Sequence, residues 1–236
     1  PREVIKLPRP DSSIRVILWD IDGTLVKSSK FRADMHVRAA EIFLGCSPLK
    51  QERTAGKTDR QILHDLLEAQ GSNPGSVAIV EAMCILDELT QKEISDYSIE
   101  CNPGVGTALR LLNCAGWING ILTGNTPKRA QLKLDAAGIY RAFDLNFAYF
   151  GDQACDRDNL AATGASGMKS SGCHQAVVIG DTPLDIQSAQ ANKLNVIAVA
   201  TGSFHAEELM EYEPDLLIRN LESDLGKLTE YLTSLG

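Results

Sequence analysis

Long apolar runs are missing from this 236-residue chain. None approaches the roughly 18 to 20 residues that a membrane-spanning helix needs. Positive charge is also scarce, with 23 Lys and Arg against 31 Asp and Glu, a net charge of −8. A surface of that sign repels polyphosphate backbones and anionic lipid, so neither nucleic acid nor a membrane is expected as a partner. The six cysteines, at positions 46, 84, 101, 114, 155 and 173, contain no CxxC pair and no metal-finger spacing. Scattered, reduced thiols of this kind belong in a cytoplasmic protein. The histidines at 36, 64, 174 and 205 show no pairing and are read as structural or exposed, which leaves zinc unlooked-for. Aromatic residues are few and unclustered, and read as core. The first residues, PREVIKLPRPDSS, bring charges and prolines but no apolar signal core.

What the chain does have is alternation. Short apolar runs recur at 14–19, 118–122, 145–150, 176–179, 196–199 and 215–218. Segments of helical length and period lie between them, such as 127–138 and 183–193. That rhythm predicts an α/β fold, a Rossmann-like parallel sheet with helices on both faces. Asn102-Pro103, Thr126-Pro127 and Thr182-Pro183 each place a capping residue before a proline, as helix starts do. One interval breaks the rhythm: 30–98 reads as helices at 33–44, 59–69 and 77–96 with almost no strand signal. We expect an inserted helical cap domain there, over a core made of 1–29 and 99–236, with DYSIECNPG as the returning hinge.

Sheets of this type bind ligands outside the carboxyl ends of their strands. Three apolar runs end there in polar residues: Asp20, with Asp22 two further on in WDIDGTLV, then Thr123 in ILTGN, and Asp181 in VVIGDTPLD. Gly23 permits a tight turn and Thr24 a hydrogen bond within it. Asp185 is either a helix-start acid or a supporting member of the acidic set. Several carboxylates at one sheet edge repel each other unless a cation sits among them, and an all-oxygen set selects a hard ion, Mg²⁺. One acid of such a pair suits a covalent nucleophile and its neighbour a proton donor and acceptor. Thr123, Gly124, Asn125 and the helix amides after them are candidates for holding phosphoryl oxygens.

DIDGTLV, ILTGN and VVIGDTPLDI, in this order, resemble motifs I, II and IV of the haloacid dehalogenase-like hydrolases, and the phosphoglycolate phosphatase-like branch in particular. The resemblance implies Asp20 as nucleophile and Asp22 as general acid/base. It implies Mg²⁺ held by the Asp20 carboxylate, the Asp22 backbone carbonyl and Asp181, with Thr123 on the transferring phosphoryl group. The family also uses a basic residue at a helix start before the motif IV strand. CDRDNL offers Arg157 there. Lys169 is the runner-up, although it leaves little room for a helix before Asp181. Lys57 and Arg60, in AGKTDRQIL, are candidates for touching the substrate from the cap, or for a solvated helix start.

The expected activity is hydrolysis of a small phosphate ester, phosphoglycolate or sugar-phosphate-like, through an aspartyl-phosphate, by a monomer or homodimer. Dehalogenase and phosphonatase members generally lack an acid at the position of Asp22. A phosphomutase keeps both acids and stands as the alternative. A non-catalytic binding protein on the same fold would normally have lost one.

Overall fold

The computed structural model describes residues 13–29, 34–47, 54–71 and 73–235. The N-terminal stretch through residue 12, position 33 at the expected start of the first insert helix, and parts of both expected linkers fall outside them. Strand β1 (Ile14–Trp19) lies at the middle of a six-stranded parallel sheet. Around it the order is β5 (Ala148–Phe150), β4 (Trp117–Thr123), β1, β6 (Cys173–Gly180), β7 (Asn195–Val199) and β8 (Leu216–Ile218). Each parallel crossover needs a connection long enough to return to the same edge, which is why helices alternate with strands.

The register explains the unbroken apolar run of β1. Val16–Trp19 are wholly buried, with Ile17 and Trp19 packing on one face of the sheet and Val16 and Leu18 on the other. Full burial of such a side chain contributes roughly 1.5–3 kcal/mol, so β1 is fixed by both layers. The indole N–H of Trp19 is satisfied by Asn119 Oδ1 at 3.0 Å.

The interval that broke the strand rhythm forms α1 (Met35–Leu44), α2 (Asp59–Glu68) and α3 (Ser76–Glu93). These helices have a core of their own, built on Met35, Leu63, Leu67 and Leu86. The chain enters and leaves this insert along a two-stranded antiparallel ribbon, β2 (Val26–Ser29) against β3 (Ser98–Cys101). That ribbon was not expected: the segment read as a hinge is a strand. The remaining helices are α4 (Val105–Cys114), α5 (Pro127–Ala136), α6 (Arg157–Ser170), α7 (Pro183–Ala191), α8 (Ala206–Met210) and α9 (Leu225–Ser234).

Two expectations need correction. Thr126 and Thr182 do cap α5 and α7 through their hydroxyls. Asn102 caps nothing. The N-cap of α4 is Gly104 at φ +83°, where an added Cβ would lie 2.3 Å from the Leu221 carbonyl carbon. The Asn102 amide instead donates to the carbonyls of Gly23 (2.7 Å) and Thr24 (3.0 Å), bracing the turn after β1. The run at 145–150 is strand only from Ala148, because Asp144 accepts from the Asn146 N–H and winds Leu145–Phe147 into a 3₁₀ turn.

Candidate active site

Three neighbouring strands deliver the central residues. Asp20 follows β1, Thr123 ends β4, and Asp181 follows β6. All three are buried. Gly23, at φ +87°, turns the chain back beneath Asp181, and a Cβ there would lie 2.3 Å from Asp181 Oδ2. Gly202 closes on the same carboxylate from the other side, where a Cβ would lie 1.7 Å away. Only glycine at both positions leaves space for that acid. Thr24 donates its hydroxyl to Asp181 Oδ1 at 2.9 Å.

Carboxylate oxygens of Asp20, Asp181 and Asp185 lie within 4.8 Å of one another. Burial pushes the Asp20 carboxyl up to about 7, and the nearby Asp185 charge adds to this, while the Arg157 guanidinium opposes it. Asp181 is raised too, first by burial and then by Asp20 and Asp185. Three buried acids in mutual repulsion, with only oxygen donors, form a set that fits a hard divalent cation.

Arg157 is the cation already built into this cluster. It is the first residue of α6, 2% exposed, and Asp156 caps the helix by accepting from the Asn159 N–H. Its Nη2 donates to Asp20 Oδ1 at 3.1 Å, to the Leu122 carbonyl at 3.0 Å and to Asp185 Oδ1. Asp185 also closes a capping box, accepting from the Thr182 N–H at 3.0 Å and the Thr182 hydroxyl at 2.7 Å. It therefore serves as helix-start acid and as partner of Arg157 at once. Lys169 is exposed in the last turn of the same helix and takes no part.

Asp22 points toward the cavity with 48% of its side chain exposed. Its oxygens accept from Lys133 Nζ at 2.7 and 2.6 Å, and Oδ2 accepts from the Asn125 amide at 2.7 Å. Lys133 also donates to Asn125 Oδ1 at 2.7 Å, and Asn125 donates to Thr123 Oγ1 at 2.9 Å. Partial removal from water acts to raise the Asp22 carboxyl, but Lys133, Asn125 and Arg129 together outweigh it, and the net shift is downward. Lys133, 4% exposed, was missed in the sequence. A signal existed: on α5 it shares a buried face with Ala130 and Leu134, where a lysine has no solvent reason to be.

On the insert side, Lys57 lines the cavity while its ammonium pairs with Asp65 at 2.8 Å. Arg60 does not line it and faces a separate groove with His64, Asp65 and Cys155. Thr58 caps α2, its hydroxyl accepting from the Gln61 N–H at 3.0 Å. His36 corrects the expectation of unpaired histidines: its Nε2 lies 2.7 Å from Asp59 Oδ1, with Arg129 beside both. The cavity thus enclosed measures about 460 Å³ and reaches from Asp20 and Asp181 to His36 and Ile62. That is the size of a small-molecule site.

The chain is similar to known proteins over most of its length. Residues 17–199 match the haloacid dehalogenase-like hydrolase family. The chain is 24% identical over 227 residues to a phosphoglycolate phosphatase of Mesorhizobium japonicum, covering 92% of this chain and 96% of that one. It is 28% identical over 219 residues to a phosphoglycolate phosphatase of Pseudomonas fluorescens, covering 89% and 78%. Among solved structures, a hydrolase from Pseudomonas syringae superposes with a TM-score of 0.68 at 18% identity, over 92% of this chain and 99% of that one.

Proposed function

The chain belongs to the haloacid dehalogenase-like hydrolase family, and we propose that it is a Mg²⁺-dependent phosphatase of the phosphoglycolate phosphatase-like branch, acting on a small phosphorylated metabolite. The observation that carries this reading is the pair Asp20 and Asp22. One carboxylate is buried against Arg157 and the metal-type acidic set, while the other faces the cavity. The names of the relatives above support a phosphate ester, and the cavity volume supports a metabolite-sized one. In this reading 30–98 is the cap over a core of 1–29 and 99–236.

Asp20 Oδ attacks phosphorus and forms an aspartyl-phosphate as the ester oxygen departs. Asp22 hands that oxygen a proton and later takes one from the water that releases phosphate. Thr123 and the Gly124 and Asn125 loop hold the phosphoryl oxygens, while the Thr126 N–H at the start of α5 is taken by Asp59. Arg157 keeps Asp20 in line and offsets charge on the phosphoryl group. Asp20, Asp181 and the Asp22 carbonyl would hold Mg²⁺, with Asp185 behind them. Bound there, the ion offsets the charge between nucleophile and phosphate.

The test is a panel of phosphorylated metabolites with Mg²⁺, scored by phosphate release. Turnover of one or a few small esters is expected, and a purified, folded protein that releases phosphate from none contradicts the reading. A reaction that requires a bisphosphate activator and isomerises the sugar phosphate would identify a phosphomutase.

Division of labour gives a finer prediction. Lys57→Ala should lower kcat/KM for the preferred metabolite by about one to two orders of magnitude, the worth of a charged hydrogen bond. A generic aryl phosphate should be spared. Arg157→Ala should depress both substrates together, because its partners are the nucleophile and the phosphoryl group. Equal losses on both substrates for Lys57→Ala would remove Lys57 from substrate recognition.

A further inference from the structure

We propose that helix α5 carries the position of the cap to Asp22, with Asp59, Arg129 and Lys133 as the positioning residues. The proposal rests on the reading of Asp22 given above and adds how that acid is held. Asp59, the first residue of α2, is buried, and its backbone N–H donates to the Gly124 carbonyl at 2.7 Å. Its carboxylate accepts from the Thr126 N–H at 2.9 Å, from Arg129 Nη1 and from His36. Arg129, 3% exposed, sends its Nε to Thr90 Oγ1 of α3 at 3.1 Å. The Thr126 hydroxyl donates to Asp87 on the same helix. Side chains from all three insert helices therefore reach the first turn of α5.

The contact surface there is tight. A Cβ on Gly124 would lie 2.4 Å from the Lys57 carbonyl oxygen, and one on Gly151 would lie 1.9 Å from the Gly124 carbonyl oxygen. The loop Thr123-Gly124-Asn125 is thus gripped from both sides. Lys133 comes four residues after Arg129, on the same face of α5 and one turn on. Its three ammonium donors reach both oxygens of Asp22 and the oxygen of Asn125. A helix moves as a stiff unit. When Asp59 grips the first turn, Asn125 and Lys133 hold Asp22 in one orientation. When that grip is lost, the first turn shifts and takes the partners of Asp22 with it.

Asp59→Asn tests this, because it keeps the shape and loses the charge facing Arg129. We expect kcat to fall about ten- to a hundred-fold on both the metabolite and an aryl phosphate, as misplacing a reacting group does. KM for the aryl phosphate should change little. Arg38→Gln is the control. It breaks an ion pair inside the insert, Arg38 with Glu93 at 2.8 Å, without touching α5, and should lower Tm but spare kcat. In ¹⁵N spectra of the metal-free protein, the Asn125 side-chain amide should shift in Asp59→Asn and stay in place in Arg38→Gln.

A lowered Tm with unchanged kcat in Asp59→Asn, or an equal kcat loss in Arg38→Gln, overturns the proposal. So does a stationary Asn125 signal. If Asp59→Asn does not fold, Arg129→Lys keeps the charge and gives up the bond to Thr90, and the same readouts decide. An inactive parent whose Asn125 signal still moves would sink the phosphatase reading and leave the coupling standing.

Discussion

Asp20→Asn should abolish turnover, with kcat falling by on the order of 10⁴ to 10⁶, while the protein melts no lower than its parent. The size follows from residues that act as one unit, each of which costs nearly the whole rate when removed. Asparagine keeps the shape but has neither the attacking oxygen charge nor a proper metal ligand. The stability half of the prediction comes from the Asp20 carboxyl, raised from 3.8 to about 7 chiefly by burial. A carboxyl raised on folding binds its proton more tightly in the folded chain than in the unfolded one. Stability is therefore lost as pH rises from about 4 through about 7, and above that window the metal-free fold carries an unwelcome charge. Asparagine removes that charge, and Arg157 retains Asp185 as a partner. Phosphate release and a thermal melt at pH 8 in chelator check both halves. Near-parental turnover in protein freed of host phosphatases would refute the aspartyl-phosphate route. A large drop in Tm would show that Asp20 holds the fold together instead.

Exhaustive chelation is the second large effect. Activity should vanish in EDTA, return with Mg²⁺ and be suppressed by Ca²⁺, whose larger and looser shell misplaces the nucleophile. Mg²⁺ should also raise Tm, because an ion that binds only the folded acids adds about 2.7 kcal/mol at a hundredfold excess over its Kd. Asp181→Asn should lose that rise along with activity. Full turnover in the chelated protein would remove Asp181 from any metal role.

How much of this is legible in the sequence depends on how local each signal is. Val16 to Trp19 read as a buried strand because both faces are apolar, and the acids after it could be placed because sheets of this class present their strand ends together. The ribbon β2–β3 was hidden, since four residues per strand carry too little alternation to stand out. Asn102 misled because the dipeptide with Pro103 is a sound helix start in isolation. The tertiary demand to tie down the Gly23–Thr24 turn overrode it. Arg157 is a candidate only through the family resemblance, whereas its bond to Asp185 joins positions 28 residues apart and no spacing rule reveals it. Lys133 and Arg129 carry no motif that sets them apart from other helix cations in the sequence. Their partners, Asp22 and Asp59, lie 111 and 70 residues away.

The separate core of the insert has a bearing on how such an enzyme can change over generations. Asp20, Thr123 and Asp181 hang from β1, β4 and β6, whose side chains pack into the two layers beside the sheet. Met35, Leu63, Leu67 and Leu86 belong to neither layer. Substitutions within that separate core, away from the Lys57–Asp59 contact with the Gly124 loop, therefore draw on the stability of the insert, since distant and independent sites add without coupling. Proteins sit close to a stability threshold, and most changes spend some of that margin. Here the packing of the insert can change while the margin behind the strand-end acids is spared.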